Sequence, residues 1–511
     1  MSASAQNSAG SINFMMRTSS AFDAYTYSPS QSIVSWMNQK FWRLQTTSPY
    51  WDSRLSWFRN GWTYNDLYST WYGSGNSLVK QHPSWVLKDQ WGNWLYLPFA
   101  CNGNNCSQWA LDPGNQDFRN WWISNVKAQM AQGYKGIWID DVNLDWRTGD
   151  GSGKIVLPYD PRTGQTMTID NWRKYIVEFL QQIRKALPNI EIVHNSLWFA
   201  AGGISNPWVI KQIQACDFIN VERGVDDSGL TGGTGQWSVN AMLSYVDKVH
   251  SLGKHVVFDE YGFYGDYQTA GYFLISTGSD GLGNQAVTPN HWWSGYDVKL
   301  GNALGGRYTW NGLLRRDFQN GIVLLNPPQS PTVTVDLPGS YQRDDGSWVS
   351  KVTLSAMQGA VLRGSNSTQS DSGGDLADGT YTVTSQSSNM VLDDPAFSGS
   401  GGTQMIQWPA NGGSNQQWQF TSKGNGYYAI QNVSSGMYLT STTWNGGGVL
   451  QQSGNGSDLQ LWSLKPSGSG YIIQNKASGM VVDSPGFSLL QGIGLVIWGS
   501  NGGSNQIWSI R

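Results

Sequence analysis

Three apolar runs in the first half of the chain end in acids. Gly136-Ile137-Trp138-Ile139 leads into Asp140 and Asp141, Phe218-Ile219-Asn220-Val221 into Glu222, and Val256-Val257-Phe258 into Asp259 and Glu260. An acid at the end of such a run emerges from a core, where a carboxylate is costly to desolvate unless it is used or paired. Two carboxyl groups facing each other across a sugar–oxygen bond can cleave it, one protonating the leaving oxygen and the other facing the anomeric carbon. A second constellation lies in the last third. Asp393, Trp408 and Asn415 recur as Asp483, Trp498 and Asn505, with 15 positions from Asp to Trp and 7 from Trp to Asn in both copies. A carboxylate that accepts two hydroxyls in fork geometry, beside a flat ring, is chemistry suited to holding a sugar.

Within the first set, Asp140 is assigned as nucleophile or base and Glu222 as proton donor. Asp141 stands next to Asp140, and a neighbouring like charge raises one of two carboxyl pKa values, so the pair could share the work. The structural alternative has Asp141 capping the following loop and Asp140 paired with an Arg or Lys. Of Asp259 and Glu260 only one can face inward. Glu260 replaces Glu222 if Glu222 is not the acid, and Asp259 then contacts substrate; a salt bridge is the structural alternative. Trp138 shares a strand face with Asp140 by the period of two. His194, Asn195 and Trp198 follow another strand and are expected sugar contacts, although a lone His in such a place is as often a hydrogen-bonded structural residue.

These acids need a scaffold. Residues 12–17, 41–45, 94–99, 136–141, 190–195, 218–222 and 255–260 read as strands, and amphipathic stretches such as 117–132 and 170–187 alternate with them. Asp170 is the expected N-cap of the second stretch, which stops at Pro188. Strand–helix alternation over some 300 residues predicts a (β/α)8 TIM barrel at 10–310, in which catalytic side chains sit at the C-terminal strand ends. Two segments compete for the eighth strand, 272–276 and 307–310. From 311 to 364 the helical signal gives way to strands at 321–326, 332–337, 348–354 and 360–362. Asp344-Asp345-Gly346 is a turn signal, and the whole reads as a small antiparallel β-domain. The small polar stretch 365–375 reads as a linker.

Residues 376–511 write one phrase three times: Gln416-Gln417-Trp418, Gln460-Leu461-Trp462 and Gln506-Ile507-Trp508. A fixed period marks a repeat architecture. With the Asp, Trp and Asn spacing, these repeats resemble the ricin-type β-trefoil, carbohydrate-binding module family 13. The resemblance implies a threefold pseudo-symmetric fold in which Asp393, Trp408, Asn415 and Gln416, and Asp483, Trp498, Asn505 and Gln506, form two sugar sites. The repeat tryptophans 418, 462 and 508 are expected in the core, with each Gln satisfying backbone groups. Asp393 and Asp483 could instead be turn residues before Pro395 and Pro485. The second repeat carries Thr440, Gln452 and Leu459 at the ligand positions, so no binding is expected there.

The barrel region adds Pro83-Ser84-Trp85-Val86-Leu87-Lys88-Asp89, Leu111-Asp112-Pro113-Gly114-Asn115, Gly133 through Asn143, Arg316-Asp317-Phe318-Gln319-Asn320-Gly321 and Asn326-Pro327. Together these resemble a group of glycoside hydrolase barrels distantly similar to the spherulin-like endo-α-1,4-polygalactosaminidases. The resemblance covers about residues 10–364 and implies an acid after strand four and another after strand six, which fall on Asp140 and Glu222. That family has Asp-Asn or Asp-x after strand four, where this chain has Asp140-Asp141.

Composition narrows the classes. Net charge is -3 with no basic run, which argues against nucleic acid as a partner. No apolar stretch is long enough to span a bilayer, so no membrane partner is expected. The 28 Trp and 23 Tyr exceed what cores need and suit stacking on sugars. No His/Cys cluster has zinc spacing, Asp141-x-Asn143-x-Asp145 lacks the calcium-loop Gly, and no phosphate loop is present, so no metal or cofactor is expected. Cys101 and Cys106 could close a loop disulfide, while Cys216 reads as a buried thiol. Ala3-Ser4-Ala5 is similar to the end of a leader peptide, giving the expectation of a secreted protein whose leader is not present. The combined expectation is a monomeric, secreted, endo-acting hydrolase whose partner is a polysaccharide. The alternatives are a non-catalytic lectin-like protein and a transglycosylase.

Overall fold

The computed structural model describes residues 8–71, 76–102, 105–262, 265–285, 287–364, 376, 378–424, 426–467, 470–501 and 503–511. The expected linker at 365–375 and the leader-like Ala3-Ser4-Ala5 lie outside the described residues. Internal packing divides the chain into two units. One is built on residues up to 299 with 325–334 and 353–361, the other on 300–324, 335–352 and 362 onward.

The first unit contains a closed parallel barrel. In chain order its elements are β1 (Phe14–Arg17), α1 (Gln31–Lys40), β2 (Arg43–Thr46), β3 (Gly61–Asp66), α2 (Gln116–Met130), β4 (Gly136–Asp140), α3 (Ile169–Ala186) and β5 (Glu191–Asn195). There follow α4 (Pro207–Gln214), β6 (Phe218–Glu222), α5 (Val239–Ser251), β7 (His255–Asp259), α6 (Asp266–Ile275) and β8 (Gly281–Gln285). Each strand pairs with its sequence neighbour, and β8 closes on β1. Helix α3 starts two residues earlier than expected: Thr168, not Asp170, caps it by accepting from the Asn171 N–H at 3.2 Å.

Two expected barrel strands were misplaced. Residues 94–99 form only isolated bridges, Lys88 with Trp94 and Tyr96 with Trp109 and Gly149, inside the long excursion between β3 and α2 and its continuation after β4. The third strand is β3, where polar Thr63 and Asn65 interrupt the apolar signal. Neither candidate for the eighth strand holds: 272–275 lie in α6, and Tyr308–Trp310 belongs to the antiparallel sheet. The true β8 is poor in side chains because it has no room for them. A Cβ on Gly281 would stand 2.9 Å from Trp42, and one on Gly283 would stand 2.7 Å from Met15.

Period two then sorts the barrel into layers. Met15, Trp62, Trp138, Val193, Phe218 and Val257 fill the interior as one apolar cluster. Two residues further along the same strand faces stand Arg17, Tyr64, Asp140, Asn195, Asn220 and Asp259. The alternate residues, including Ile137, Ile139, Ile192, Ile219 and Val256, are fully buried on the outer face.

A six-stranded sheet follows: β9 (Tyr308–Trp310), β10 (Leu313–Phe318), β11 (Gly321–Asn326), β12 (Val333–Gln342), β13 (Trp348–Leu354) and β14 (Gln358–Arg363), in the order β9-β10-β11-β14-β12-β13. The Asp345 side chain holds the β12–β13 turn by accepting from the Ser347 N–H at 2.8 Å.

From 378 onward short antiparallel strands repeat three times. Trp418, Trp462 and Trp508 are fully buried in one core. Each indole N–H donates to an equivalent carbonyl: Leu392 at 3.0 Å, Leu439 at 2.9 Å and Val482 at 3.1 Å. This is the threefold architecture that the repeated phrase predicted, with the tryptophans as core.

Candidate functional site

The C-terminal strand ends of the barrel open on a cavity of about 400 Å³. Asp140, Asp141, Asn195, Trp198 and Glu222 line it, with Phe99 and Arg223 at its wall. Three strands meet there through one amide. The Asn195 Nδ2 group at the end of β5 donates to Asp140 Oδ1 at 2.7 Å and to Glu222 Oε2 at 3.2 Å. Two acceptors on the two hydrogens of one amide, about 120° apart, stand about 5 Å from each other. Asn220, fully buried on β6, donates to Asn195 Oδ1 at 2.9 Å and so fixes which end of that amide faces the acids.

Each acid has further donors. Asp140 accepts from the Tyr64 hydroxyl at 2.8 Å and from the Asp141 N–H at 2.8 Å. Glu222 accepts from the Tyr261 hydroxyl. Arg17 at the end of β1 pairs with Asp259, and its guanidinium lies 5.2 Å from the Tyr261 ring centre and 5.9 Å from that of Trp138. The result is a ring of polar groups running from Tyr64 through Asp140, Asn195, Glu222, Tyr261, Arg17 and Asp259 back to Asn220. The residues after the two acids, Asp141 (φ 54) and Arg223 (φ 68), both take the left-handed conformation. Such strained backbone is held only where surrounding contacts fix it, and it gathers at functional sites.

A third carboxyl joins the pair. Asp66 ends β3 directly opposite Asp140, accepts from the N–H groups of Tyr68 and Ser69, and hydrogen-bonds Asp141. Burial, then repulsion from Asp66 and Asp140, raises Asp141 well above the usual carboxylate range. Burial and Asp140 likewise push Asp66 up to about 6. Asp141 therefore gives up its proton less readily than an ordinary aspartate. Asn143 completes the arrangement by donating to Asp141 at 3.0 Å.

The remaining expected barrel residues fall elsewhere. Asp259 is the inward member of its pair, but it lies fully buried below the cavity, paired with Arg17; burial pushes it up to about 6 against the pull of that guanidinium. Glu260 turns away from the cavity and corrects the expectation of a reserve acid. Its carboxyl accepts from the N–H groups of Val225 and Asp226 at 3.1 and 3.2 Å, and burial followed by Asp226 raises it well above normal. Trp138 is on the face predicted, but it is a fully buried plug beneath Arg17 rather than a sugar contact. His194 points to the outer layer against Gln212 of α4 at 3.3 Å, and burial lowers it to about 3, so it is a structural residue. Tyr64, Asp66 and Asn220 escaped the sequence reading, the first two because β3 did. Arg17 and Tyr261 escaped as well, although Arg17 ends a strand that was identified and could have been read there.

In the second unit, Asp393 pairs across the ribbon with Ile406 and Val391 with Trp408; Asp483 and Trp498 repeat this with Val496 and Val481. Asp and Trp are thus diagonal neighbours on one face. Asp393 Oδ2 accepts from Asn415 at 3.0 Å and Gln416 at 2.6 Å, and Asp483 Oδ2 from Asn505 at 2.9 Å and Gln506 at 2.6 Å. The Oδ1 atoms of Asn415 and Asn505 are buried without a hydrogen-bond partner. Burial raises both aspartates above their ordinary range. Gln416 and Gln506 do not face a ligand. Each amide is filled by its aspartate, a carbonyl (Pro409 or Gly499) and a backbone N–H (Asn411 or Asn501), so they support the site from beneath. In the second lobe Gln460 instead meets the Thr440 hydroxyl at 3.2 Å, where the other two lobes place an aspartate.

Residues 368–453, 414–488 and 458–511 match the family model described as ricin-type beta-trefoil lectin domain-like. No curated protein matches the chain. Among solved structures, the designed threefold-symmetric protein ThreeFoil is 34% identical over 26% of this chain and 98% of its own, with a TM-score of 0.26. The Rhizoctonia solani agglutinin is 25% identical over 26% and 95%, with a TM-score of 0.24. An exo-beta-1,3-galactanase from Clostridium thermocellum is 21% identical over 40% and 57%, with a TM-score of 0.26. The chain is multidomain: a closed eight-stranded parallel barrel followed by a carbohydrate-binding domain of the ricin-type β-trefoil lectin family.

Proposed function

We propose that the chain is a secreted glycoside hydrolase that cuts a polysaccharide within its length at the barrel mouth while the lectin domain holds the polymer. The observation that carries this reading is the pair Asp140 and Glu222, aimed into one cavity and spanned by the Asn195 amide. A spacing of about 5 Å suits a double displacement with retention. Asp140 bonds to the anomeric carbon while Glu222 gives its proton to the departing oxygen. Water then attacks the glycosyl ester, Glu222 takes its proton, and Asp140 leaves as carboxylate. Trp198 and exposed Phe99 supply apolar walls for sugar rings.

In the lectin domain the two working sites are Asp393, Asn415 and Trp408, and Asp483, Asn505 and Trp498; the second lobe is silent. Two weak sites on one module raise affinity for a repeating ligand through effective concentration. The Cys101–Cys106 disulfide suits an oxidising, extracellular setting. The resemblance to polygalactosaminidase barrels puts α-linked galactosamine polymers first among substrates. The test is a polysaccharide panel with reducing-end detection, that polymer included. Release from one polymer is expected; no release from any would overturn the proposal.

A further inference from the structure

The three lobes share a corner that the sugar-site residues do not include. In each lobe a left-handed glycine donates its N–H to the carbonyl just before the ligand-position residue of another lobe, at 2.8 Å in all three cases: Gly402 to Gln451, Gly446 to Ile497 and Gly492 to Gln407. The next side chain then leans over that glycine. A Cβ at Gly446 would stand 3.0 Å from the Trp498 ring, one at Gly492 would stand 3.3 Å from the Trp408 ring, and Gln452 takes the equivalent place at Gly402. Two residues before each glycine the three loops carry different residues. The three are Ser400, Trp444 and Leu490.

The corners therefore differ in what they present. The loop that meets the Trp408 segment carries Leu490, and the one that meets the Gln452 segment carries Ser400. Only the loop that meets the Trp498 segment carries a second indole. Trp444 is 62% exposed, in a lobe that has lost its own sugar ligands. Its position is fixed all the same. A Cβ on Gly447 would stand 2.9 Å from its ring, and the neighbouring Asn445 side chain accepts from the Gly499 N–H at 2.8 Å, tying the loop to the residue after Trp498. An exposed indole with no core role, on a loop tied to the segment that carries Trp498, is a surface on which a sugar ring can stack.

We propose that Trp444 forms a second sugar subsite continuous with the Asp483–Trp498 site, so that this corner binds at least two linked pyranose rings whereas the Asp393–Trp408 corner grips one. This rests on the reading of Asp483 and Trp498 as a sugar site. The silent lobe then keeps a role: it lends its loop to its neighbour.

The experiment titrates the full chain by calorimetry with three monosaccharide and disaccharide pairs: galactose and lactose, glucose and cellobiose, N-acetylglucosamine and chitobiose. An Asp393→Ala background isolates the Asp483 site. There, Trp444→Ala should weaken disaccharide binding about fivefold to tenfold and change monosaccharide binding less than twofold. In the opposite background, Asp483→Ala, adding Leu490→Trp should strengthen disaccharide binding by a similar factor, a gain that loss of folding cannot mimic. Equal effects on both ligand sizes, or none, overturn the subsite while leaving the sugar site standing. Absence of binding by the parent chain to every probe overturns both.

Discussion

The barrel mouth and the lectin domain arrange their carboxyl and amide groups in opposite ways. At the mouth, acids from β3, β4, β6 and β7 are gathered into one buried network around a single amide. In the lectin domain the same Asp–Asn pair is written twice, 22 positions apart each time, with one carboxylate accepting from each Asn. The first arrangement concentrates charge where water is scarce, which strains protonation and suits bond-breaking. The second spreads weak contacts over a rigid frame, which suits holding.

The comparison breaks most sharply at the acids. Asp140→Asn and Glu222→Gln should each lower polymer cleavage about 10²–10⁴-fold, with retention on the polymer unchanged. A steady-state assay beside a pull-down on the same polymer checks this. Next comes avidity. Asp393→Ala with Asp483→Ala should weaken polymer binding about 10²-fold or more, each single change much less, while hydrolysis of a short soluble substrate keeps its kcat. Thr440→Ala should alter neither. Removing the shared amide with Asn195→Ala should lower kcat about 10²-fold at little cost in KM, since it misplaces both acids without touching them covalently.

The smallest effect is on pH dependence of stability. Asp66 has an ordinary value of 3.8 and is raised to about 6 by burial beside Asp140. A carboxyl raised in the fold stabilises it when protonated, so this contribution is full below the ordinary value and lost as pH climbs through about 6. The melting temperature should therefore fall over that window, and Asp66→Asn should flatten the fall. Scanning calorimetry of both proteins between pH 4 and 8 reads the difference.

The two regions also differed in how openly the sequence declared them. The recurring Asp–Asn contacts of the lectin domain were legible because their residues recur at fixed spacing within one repeat, so comparison inside the chain exposed them and the departures of the second lobe alike. Gln416 and Gln506 carried two readings, as sugar ligands and as groups satisfying the backbone, because spacing cannot tell a group that faces a ligand from one that holds the facing group in place; their hydrogen bonds fit the second. In the barrel, Asp140 and Glu222 stood out as charges ending apolar strands. Asp259 and Glu260 could not be ranked, because which of two adjacent residues faces inward depends on register with β6 and β8. Asp66 was hidden because β3 alternates polar with aromatic residues, and β8 because close packing against Trp42 and Met15 demands glycine.

The central claim is that Asp140 and Glu222 stand close enough to work by double displacement on one glycosidic bond. Proton NMR of the first product released from the polymer identified by the panel tests it directly. The account predicts an anomeric configuration identical to that of the bond cleaved, appearing before mutarotation. An inverted product, or no anomeric signal above background from any polymer, would contradict it.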